Sequence, residues 1–248
     1  MDSSPLRIRV PGLVLPVTCG DQRQACAGSI HVGLGIDFAL GLAPLGGWLL
    51  SFPHPFVVEL LSILDAAHSI VGQAVRSDDL VIDATVGNGH DTLFLLREIG
   101  AKGRVVGFDV QQEALDATRD RVQRQASAAM DRLRLVHDGH EAMSSHLDDE
   151  TLGAVMFNLG YLPGDDHSII TEPETTCTAL NASANLLRSG GVITIVAYSG
   201  HAGGEEELQA VEAWVASLPQ DEFRALSYRF INQTNDPPRL FAVEKHAE

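Results

Sequence analysis

Hydrophobic positions change their spacing along the chain, and these changes predict alternating helices and strands from residue 56 onwards. Residues 56–75 carry apolar side chains at helical spacing, as expected for a helix that buries one face. Short apolar runs follow, and two of them, 154–158 and 192–196, are typical of strands covered on both faces. The predicted strands are 80–84, 105–109, 133–136, 154–158, 192–196, 223–231 and 240–244, and the later helices are 91–99, 111–126, 174–187 and 205–218.

This alternation predicts an α/β, Rossmann-like fold built on a mostly parallel seven-stranded sheet with right-handed crossovers. The last two strands are joined only by the turn 232–238, which is too short for a crossover helix. We therefore expect a C-terminal antiparallel hairpin. Residues 1–55 are expected to form an N-terminal extension of unknown role, and the main domain is expected to span 56–248.

Charge is unevenly distributed in this chain. The formal net charge is -16, yet the first 50 residues hold three acids and three arginines, so the acidic excess lies beyond residue 50. An acidic domain is a poor general binder of nucleic acid, because nonspecific affinity comes from neutralised phosphates. Binding of RNA would therefore need a local basic patch, a second subunit such as the partner in a homodimer, or capture of one nucleotide.

Cysteine and histidine spacing argues against disulfide and metal sites. The three cysteines, at 19, 26 and 177, have no metal-type spacing and favour a reducing compartment, so we expect a cytoplasmic protein. His137 and His140 could ligate a metal, but no further ligand cluster is nearby, and no metal is expected. The uncharged stretch 38–58 is broken by prolines and glycines, so no membrane anchor is expected, and no secretory signal is evident.

The segment after the first predicted sheet strand has the outline of a nucleoside-binding crevice. An acid, Asp83, lies near the end of strand 80–84, and a turn with Gly87 and Gly89 leads into a helix that opens at Asp91. The next strand ends in Asp109, at the spacing from the glycines that reaches a ribose. A plainer interpretation is a bare helix N-terminus capped by Asp91.

Two ligands compete for this crevice: a dinucleotide for hydride transfer and S-adenosylmethionine for methyl transfer. Thr92 stands where the dinucleotide fingerprint needs a third glycine. Asp83 would repel a pyrophosphate, whereas it could hold the ammonium group of the methyl donor, directly or through water. On this interpretation Gly87 and Gly89 let the backbone approach the donor closely. Asp109 would bind both ribose hydroxyls, Gln111 would contact the adenine edge, and residues 138–140 would flank the adenine.

A second motif follows the strand 154–158 at the sheet edge where open α/β folds bind ligands. Asn158 to Gly164 read NLGYLPG, a partial match to the Asn/Asp-Pro-Pro-aromatic motif of methyltransferases that act on amines. In that arrangement Asn158 would orient the amine and Tyr161 would stack on the base, although Tyr161 could simply cover the sheet edge.

An ammonium acceptor must first lose its proton, so a base helps. The candidates, which the sequence does not rank, are Asp165, His167, Tyr198 and His201, the last of which could equally be a loop residue without a role.

Four motifs, in order and spacing, resemble one known family: DATVGNGHDT at 83–92, NLGYLPG at 158–164, YSGH at 198–201 and NQTNDPP at 232–238. It is the bacterial and plant family of tRNA 5-aminomethyl-2-thiouridine methyltransferases, once labelled rRNA methylases, and the resemblance spans 67–245. It implies a class I methyltransferase fold, S-adenosylmethionine as cofactor, and methylation of an aminomethyl group in the anticodon region of tRNA. The donor-site residues that it implies are Asp83, Asn88, Gly89, Asp91, Thr92, Asp109, Gln111 and His140.

Other functions stay open at this stage. The acidic charge favours a small-molecule or protein amine as acceptor, and another RNA such as rRNA is a further alternative. A donor-binding partner subunit without catalysis is a third. The acceptor side of the predicted site consists of Asn158, Tyr161 and His201.

Overall fold

A computed structural model describes residues 60–147, 150–160, 171–200 and 202–246, together with five short strands among the first 51 residues. The chain divides into two compact units, Met1–Glu59 and Leu60–Glu248. In the first unit two strands form an antiparallel hairpin and three form an antiparallel sheet. These strands are β1 (Arg7–Val10), β2 (Leu13–Pro16), β3 (Ser29–Val32), β4 (Ile36–Leu42) and β5 (Trp48–Ser51).

The second unit is built on a seven-stranded sheet, which confirms the predicted fold. Its strands are β6 (Leu80–Asp83), β7 (Arg104–Asp109), β8 (Leu133–His137), β9 (Leu152–Asn158), β10 (Leu187–Ala197), β11 (Phe223–Tyr228) and β12 (Arg239–Lys245). They lie in the order β11-β12-β10-β9-β6-β7-β8. The five strands from β10 to β8 run parallel, whereas β12 pairs antiparallel with both β10 and β11. The predicted C-terminal hairpin is therefore present.

Helices cover both faces of this sheet. They are α1 (Ile63–Ala74), α2 (His90–Glu98), α3 (Gln112–Gln125), α4 (Met143–His146), α5 (Pro173–Leu186) and α6 (Gly204–Ser217). One core cluster joins the sheet to α1, α2 and α3, and the other joins it to α5 and α6. Because successive strand side chains point to opposite faces, each central strand contributes to both clusters. This two-sided burial explains the unbroken apolar runs in the sequence.

Some element boundaries differ from the predicted ones. Helix α1 begins at Ile63, where the Ser62 side chain accepts a hydrogen bond from the Asp65 amide, rather than at residue 56. The predicted start, 56–59, lies outside the described residues. Strand β10 begins at Leu187, before the glycine pair, because Leu187 pairs with Leu152 ahead of an irregularity that ends at Val192. Strand β11 ends at Tyr228 rather than at residue 231.

A partly buried ion pair ties the amino-terminal ends of two strands together. Arg188 of β10 donates from Nε and Nη2 to the two carboxylate oxygens of Asp79, at 2.9 and 2.6 Å. Both side chains are largely shielded from solvent, with 12% and 9% of their surface exposed. Burial alone would raise the pKa of Asp79, but the hydrogen bonds and charges of Arg188 and Arg76 outweigh it and lower that pKa below its usual value. Asp79 is therefore ionised and paired at neutral pH.

Two further expectations concern membranes and metals. Among the described residues, no helix is long and apolar enough to cross a membrane. His137 and His140 point to different partners, the carbonyl oxygens of Val110 and Ala84. The described part of the chain also holds no group of three or more metal-ligating side chains.

Candidate active site

A cavity of about 640 Å³ opens at the carboxyl edge of the parallel strands. Its wall comes from the loop after β6, the ends of β7, β9 and β10, the segment after β8, the start of α5 and the turn 235–238. The volume falls in the range of about 300–1,000 Å³ that is usual for small-molecule sites. Ligands of open α/β sheets bind at this edge, so the cavity is the candidate active site.

The two glycines of the β6–α2 loop serve different purposes. Gly87 has φ 49° and lines the cavity, and its amide donates to a carboxylate oxygen of Asp109 at 2.8 Å. Gly89 has φ 75° and precedes the first residue of α2. A Cβ there would lie 2.5 Å from the Thr118 hydroxyl of α3. Gly89 therefore allows α2 to pack closely on α3, and the expectation that it also lets the backbone approach the donor stays a prediction. Asn88, between them, lines the cavity.

Asp83 and Thr92 lie beneath the loop rather than in the described part of the cavity wall. Asp83 is fully buried and accepts hydrogen bonds from the Thr92 hydroxyl and, at 3.3 Å, from the Thr85 amide. Complete burial and the nearby charge of Asp91 raise the pKa of Asp83, and the two hydrogen bonds offset this only in part. The sequence left two arrangements open, in which Asp83 binds the ammonium group directly or through water. Because Asp83 is fully buried, this geometry does not provide the direct contact. Asp83 and Thr92 instead hold the loop in shape.

Asp109, the predicted ribose ligand, lies in the cavity wall. It ends β7, and its two oxygens accept amide hydrogen bonds from Gly87 and Gln111 at 2.8 and 2.9 Å. Because a carboxylate has about four acceptor positions, capacity remains for two hydroxyls from the cavity. Burial raises the pKa of Asp109, and these amide hydrogen bonds counteract part of the rise. The neighbouring Val110, which the sequence pattern did not single out, is 54% exposed and gives the wall an apolar surface.

His140 presents an unsatisfied nitrogen at the same end of the site. Its Nδ1 lies 3.2 Å from the carbonyl oxygen of Ala84, and its ring packs edge-on against Phe157. Since a carbonyl oxygen only accepts, Nδ1 carries the proton and Nε2 is an acceptor. Nε2 is buried and has no hydrogen-bond partner within the described structure. Burial lowers the pKa of His140, which keeps the ring neutral at neutral pH.

Another part of the cavity wall is organised around the end of β9. Asn158 lines the cavity, and its amide donates to the Thr85 hydroxyl at 2.7 Å. Gly160 and Thr171 close on each other: the Gly160 amide donates to the Thr171 hydroxyl at 3.0 Å, and the Thr171 amide donates to the Gly160 carbonyl at 3.1 Å. The Thr171 hydroxyl in turn donates to Glu207, a carboxylate of α6 that is 2% exposed. Sequence reasoning did not single out Glu207, because it is one of three consecutive acids that open a helix.

Only part of the predicted acceptor set can be located. Tyr161, Asp165, His167 and His201 lie outside the described residues, so their predicted roles stay predictions. Tyr198 follows β10 and lines the cavity. Burial and the charge of Asp91 raise the pKa of Tyr198, so its phenol stays protonated and does not serve as a base at neutral pH.

The described cavity wall is strongly acidic. It contains no lysine or arginine, and its only basic side chains are His90 and His140. Residues of the C-terminal turn contribute to it, including Asn235 and Asp236, which have left-handed backbones with φ of 66° and 45°. Such a wall attracts cations and disfavours anions such as a pyrophosphate. Its carboxylates are Asp91, Asp109, Asp138, Glu141, Glu172 and Asp236.

Comparisons with known proteins agree with this chemistry. A family model described as “Putative rRNA methylase” matches residues 105–244, more than half of the chain. The chain belongs to this family. The chloroplastic tRNA (mnm(5)s(2)U34)-methyltransferase of Arabidopsis thaliana is 36% identical to it over 188 residues, which cover 73% of this chain and 69% of the relative.

Solved structures of similar proteins share the fold of this chain. One from Clostridium thermocellum, described as a putative rRNA methylase, is 42% identical with a TM-score of 0.73, and the match covers 76% of this chain and 100% of that one. A methyltransferase from Streptococcus mutans, solved in complex with SAH, is 35% identical with a TM-score of 0.68, over 75% of this chain and 99% of that one. This methylase is therefore an S-adenosylmethionine-dependent methyltransferase.

The cavity of this methylase fits that donor. The free acceptor capacity of Asp109 suits the ribose hydroxyls, and the exposed Val110 suits the flat face of the adenine. The unpartnered Nε2 of His140 offers an acceptor to a donor group of the ligand. The acidic wall suits a molecule that carries a sulfonium and an ammonium group. When bound, S-adenosylmethionine supplies an activated methyl group, and the residues of the chain must align an acceptor with it.

Proposed function

We propose that this methyltransferase methylates the aminomethyl nitrogen of 5-aminomethyl-2-thiouridine at the wobble position of tRNA. The similarity to the Arabidopsis protein, whose name states a modified U34, supports the nucleoside. The structural observation that carries the choice of an amine is the acidic wall without lysine or arginine around Asn158, in the described part of the cavity. An alkyl amine arrives as an ammonium ion, and carboxylates bind that ion.

The proposed site divides its residues between donor and acceptor. Asp109, with Gly87, Asn88 and Gln111, would hold the nucleoside part of the donor, and His140 would bind near it. Asp83, Gly89 and Thr92 would support the donor loop from below. Asp91 also lines the cavity, and its carboxylate would bind an ammonium group.

On the acceptor side, Asn158 would orient the amine, Tyr161 would stack on the base, and His201 would lie near the amine. The ammonium group would first lose its proton to solvent, and Asn158 would then hold the freed nitrogen lone pair in line with the methyl carbon and the sulfur of the bound donor, which would supply the methyl group. In-line alignment of the three atoms supplies much of the acceleration. We assign this activity to the unit from residue 60 onwards, which contributes every described residue of the cavity.

Docking of tRNA cannot rest on overall charge in this protein, which carries a net charge of -16. Capture of one flipped nucleotide, with or without a second subunit, would supply the specificity instead. A homodimer and a cytoplasmic location stay predictions. The acidity also favours a second candidate function, methylation of a small-molecule or protein amine.

One experiment tests the first function against the second. Transfer RNA is prepared from cells that lack the activity, and is incubated with the donor and the purified protein. Mass spectrometry of the nucleosides is expected to show one added methyl group on aminomethyl-thiouridine and none on tRNA that lacks the aminomethyl group. Unchanged nucleosides, together with release of S-adenosylhomocysteine when free alkyl amines are supplied, would replace the first proposal by the second.

A further inference from the structure

An aspartate–histidine pair connects α1 to the cavity. Asp91, in the first turn of α2, lines the cavity and is 9% exposed. Its Oδ1 lies 2.7 Å from Nε2 of His68 on α1. The His68 ring stacks on Phe94, with ring centroids 4.0 Å apart and an interplanar angle of 5°. The ring is therefore held in one orientation, while 28% of the side chain stays exposed to solvent.

The direction of this hydrogen bond follows from the chemistry of the two groups. An ionised carboxylate only accepts, so Nε2 of His68 carries a proton and donates it to Asp91. The carboxylate keeps further acceptor positions for a group in the cavity. Asp91 also lies close enough to Tyr198, at the end of β10, for its charge to influence that phenol. The pair thus lies between the donor loop and the end of β10, where both the donor and the acceptor amine have to approach.

We propose that Asp91 and His68 form an alkylammonium subsite, in which His68 is a positioning residue that orients the carboxylate and sets the net charge of the pair. With a neutral ring the pair carries one negative charge and attracts an ammonium group. With a protonated ring the pair has no net charge, and the attraction weakens. Two ammonium groups have the required chemistry, the amino group of the donor and the amine of the acceptor, and the second of these rests on the proposed function.

The net charge of the pair depends on whether the ring is protonated, so binding is compared between acidic and neutral pH. Several other titratable groups face the pair, so a pH dependence by itself does not identify His68. The comparison must therefore use ligands that differ only in the ammonium group. Asp83 and Tyr198 interact electrostatically with Asp91. The other titratable groups of the adjoining segments are Asp65, one turn before His68 on α1, His90, which precedes Asp91, Glu98, which lies near Gly72 of α1, and Tyr228, which donates to the Leu61 carbonyl ahead of α1.

The first arm of the test measures donor binding by titration calorimetry between pH 5 and 7, below the usual range of about 7.7–8.0 for an α-amino group. The ligands are S-adenosylhomocysteine and its analogue without the amino group. Wild-type affinity for the first is expected to rise about tenfold over this range, as for a charged hydrogen bond, while affinity for the analogue stays nearly constant. His68→Gln should keep the high affinity at pH 7, because its amide can donate to Asp91, and should lose the rise.

Two further variants keep this arm decisive. Asp91→Asn should bind S-adenosylhomocysteine about tenfold more weakly at pH 7 and leave the analogue unaffected. His246→Gln makes the same chemical change outside the described cavity wall, where the ring contacts the Gln220 carbonyl, and should behave as the wild type. If His68→Gln fails to fold, Asp91→Asn and the analogue still report on the subsite.

The second arm measures the KM for aminomethyl-bearing tRNA over the same pH range with saturating donor. A His68-dependent change in donor affinity assigns the subsite to the donor's amino group, and a change in this KM alone assigns it to the acceptor. The proposal is overturned if His68→Gln retains the wild-type pH dependence in both arms. It is equally overturned if the two donor ligands change alike, because that is the mark of a merely structural role. Failure of the wild-type protein to methylate the tRNA would contradict the proposed function and leave the donor arm to decide.

Discussion

Replacement of Asp109 by alanine should weaken donor binding by an amount that the structure allows to be worked out. Each carboxylate oxygen of Asp109 already accepts one amide hydrogen bond, from Gly87 or Gln111, and keeps capacity for one ribose hydroxyl. Taken together as one charged contact, the pair of ribose hydrogen bonds contributes about 1.5–3 kcal/mol. With about 1.4 kcal/mol for each factor of ten, Asp109→Ala should weaken binding of S-adenosylhomocysteine about 10- to 150-fold.

The substitution also leaves the Gly87 amide without its acceptor, so a second ligand is needed to isolate the ribose contact. An analogue of S-adenosylhomocysteine without the two ribose hydroxyls should bind the wild type about as weakly as the full ligand binds Asp109→Ala. Asp109→Ala should weaken the binding of this analogue little or not at all, because the analogue already lacks the ribose contact. This is a double-mutant cycle between residue and ligand, measured by titration calorimetry.

A matched control and a pH series complete the test. Asp116→Ala removes the same charge from a side chain of α3 that is 60% exposed, and should leave affinity unchanged. Since burial raises the pKa of Asp109, protonation should weaken donor binding at a higher pH than an ordinary aspartate would show. Wild-type affinity of Asp109→Ala, or an equal loss for the ligand without hydroxyls, would refute the ribose assignment.

Three further substitutions separate catalysis from stability. Asn158→Ala should slow single-turnover methyl transfer about 100-fold through misalignment, with S-adenosylhomocysteine affinity unchanged; equal losses would make Asn158 structural. Arg188→Met leaves the largely shielded carboxylate of Asp79 without its partner, so urea unfolding should show about 1–3 kcal/mol less stability at pH 7. Because the pKa of Asp79 is lowered in the folded state, this difference should shrink as pH falls below about 4, and a constant difference would contradict the pairing. The raised pKa of Asp83 means that its ionisation opposes folding as pH rises, so Asp83→Asn should raise the melting temperature more at pH 8 than at pH 5; equal shifts would count against it.

The sequence predicted the sheet well because its signals are local. Each central strand is buried on both faces and therefore appears as a short apolar run, and each crossover helix has its own periodicity. The placement of Asp109 and Asn158 also follows, since both end parallel strands and such ends meet at one edge of a sheet. The strands of the first unit were not predicted, because most of them contain only four residues, too few to establish a period.

Contacts between distant parts of the chain could not be predicted in the same way. Gly89 looks like a phosphate- or donor-loop glycine, and only the position of Thr118 shows that it serves helix packing. Asp83 looks like a ligand by its place at the end of a strand, yet it is fully buried under the loop. His68 and Glu207 occupy ordinary polar positions of helices until the fold brings them to Asp91 and Thr171. A motif fixes the order of residues along the chain and does not fix which side chains turn inward.

The acidic wall and the amide of Asn158 should contribute to different kinetic parameters. During transfer the positive charge passes from sulfur to nitrogen, so the site holds the same total charge before and after the step. Carboxylates spread around the described cavity stabilise that charge in both states, and such uniform binding lowers KM without raising kcat. Alignment by Asn158 acts mainly on the approach of nitrogen to the methyl carbon and should appear in kcat.

The same carboxylates also stabilise the ammonium form of the acceptor, which opposes its deprotonation, and Tyr198 is protonated and cannot take the proton. The rate of the chemical step should therefore rise with pH until the bound amine is neutral.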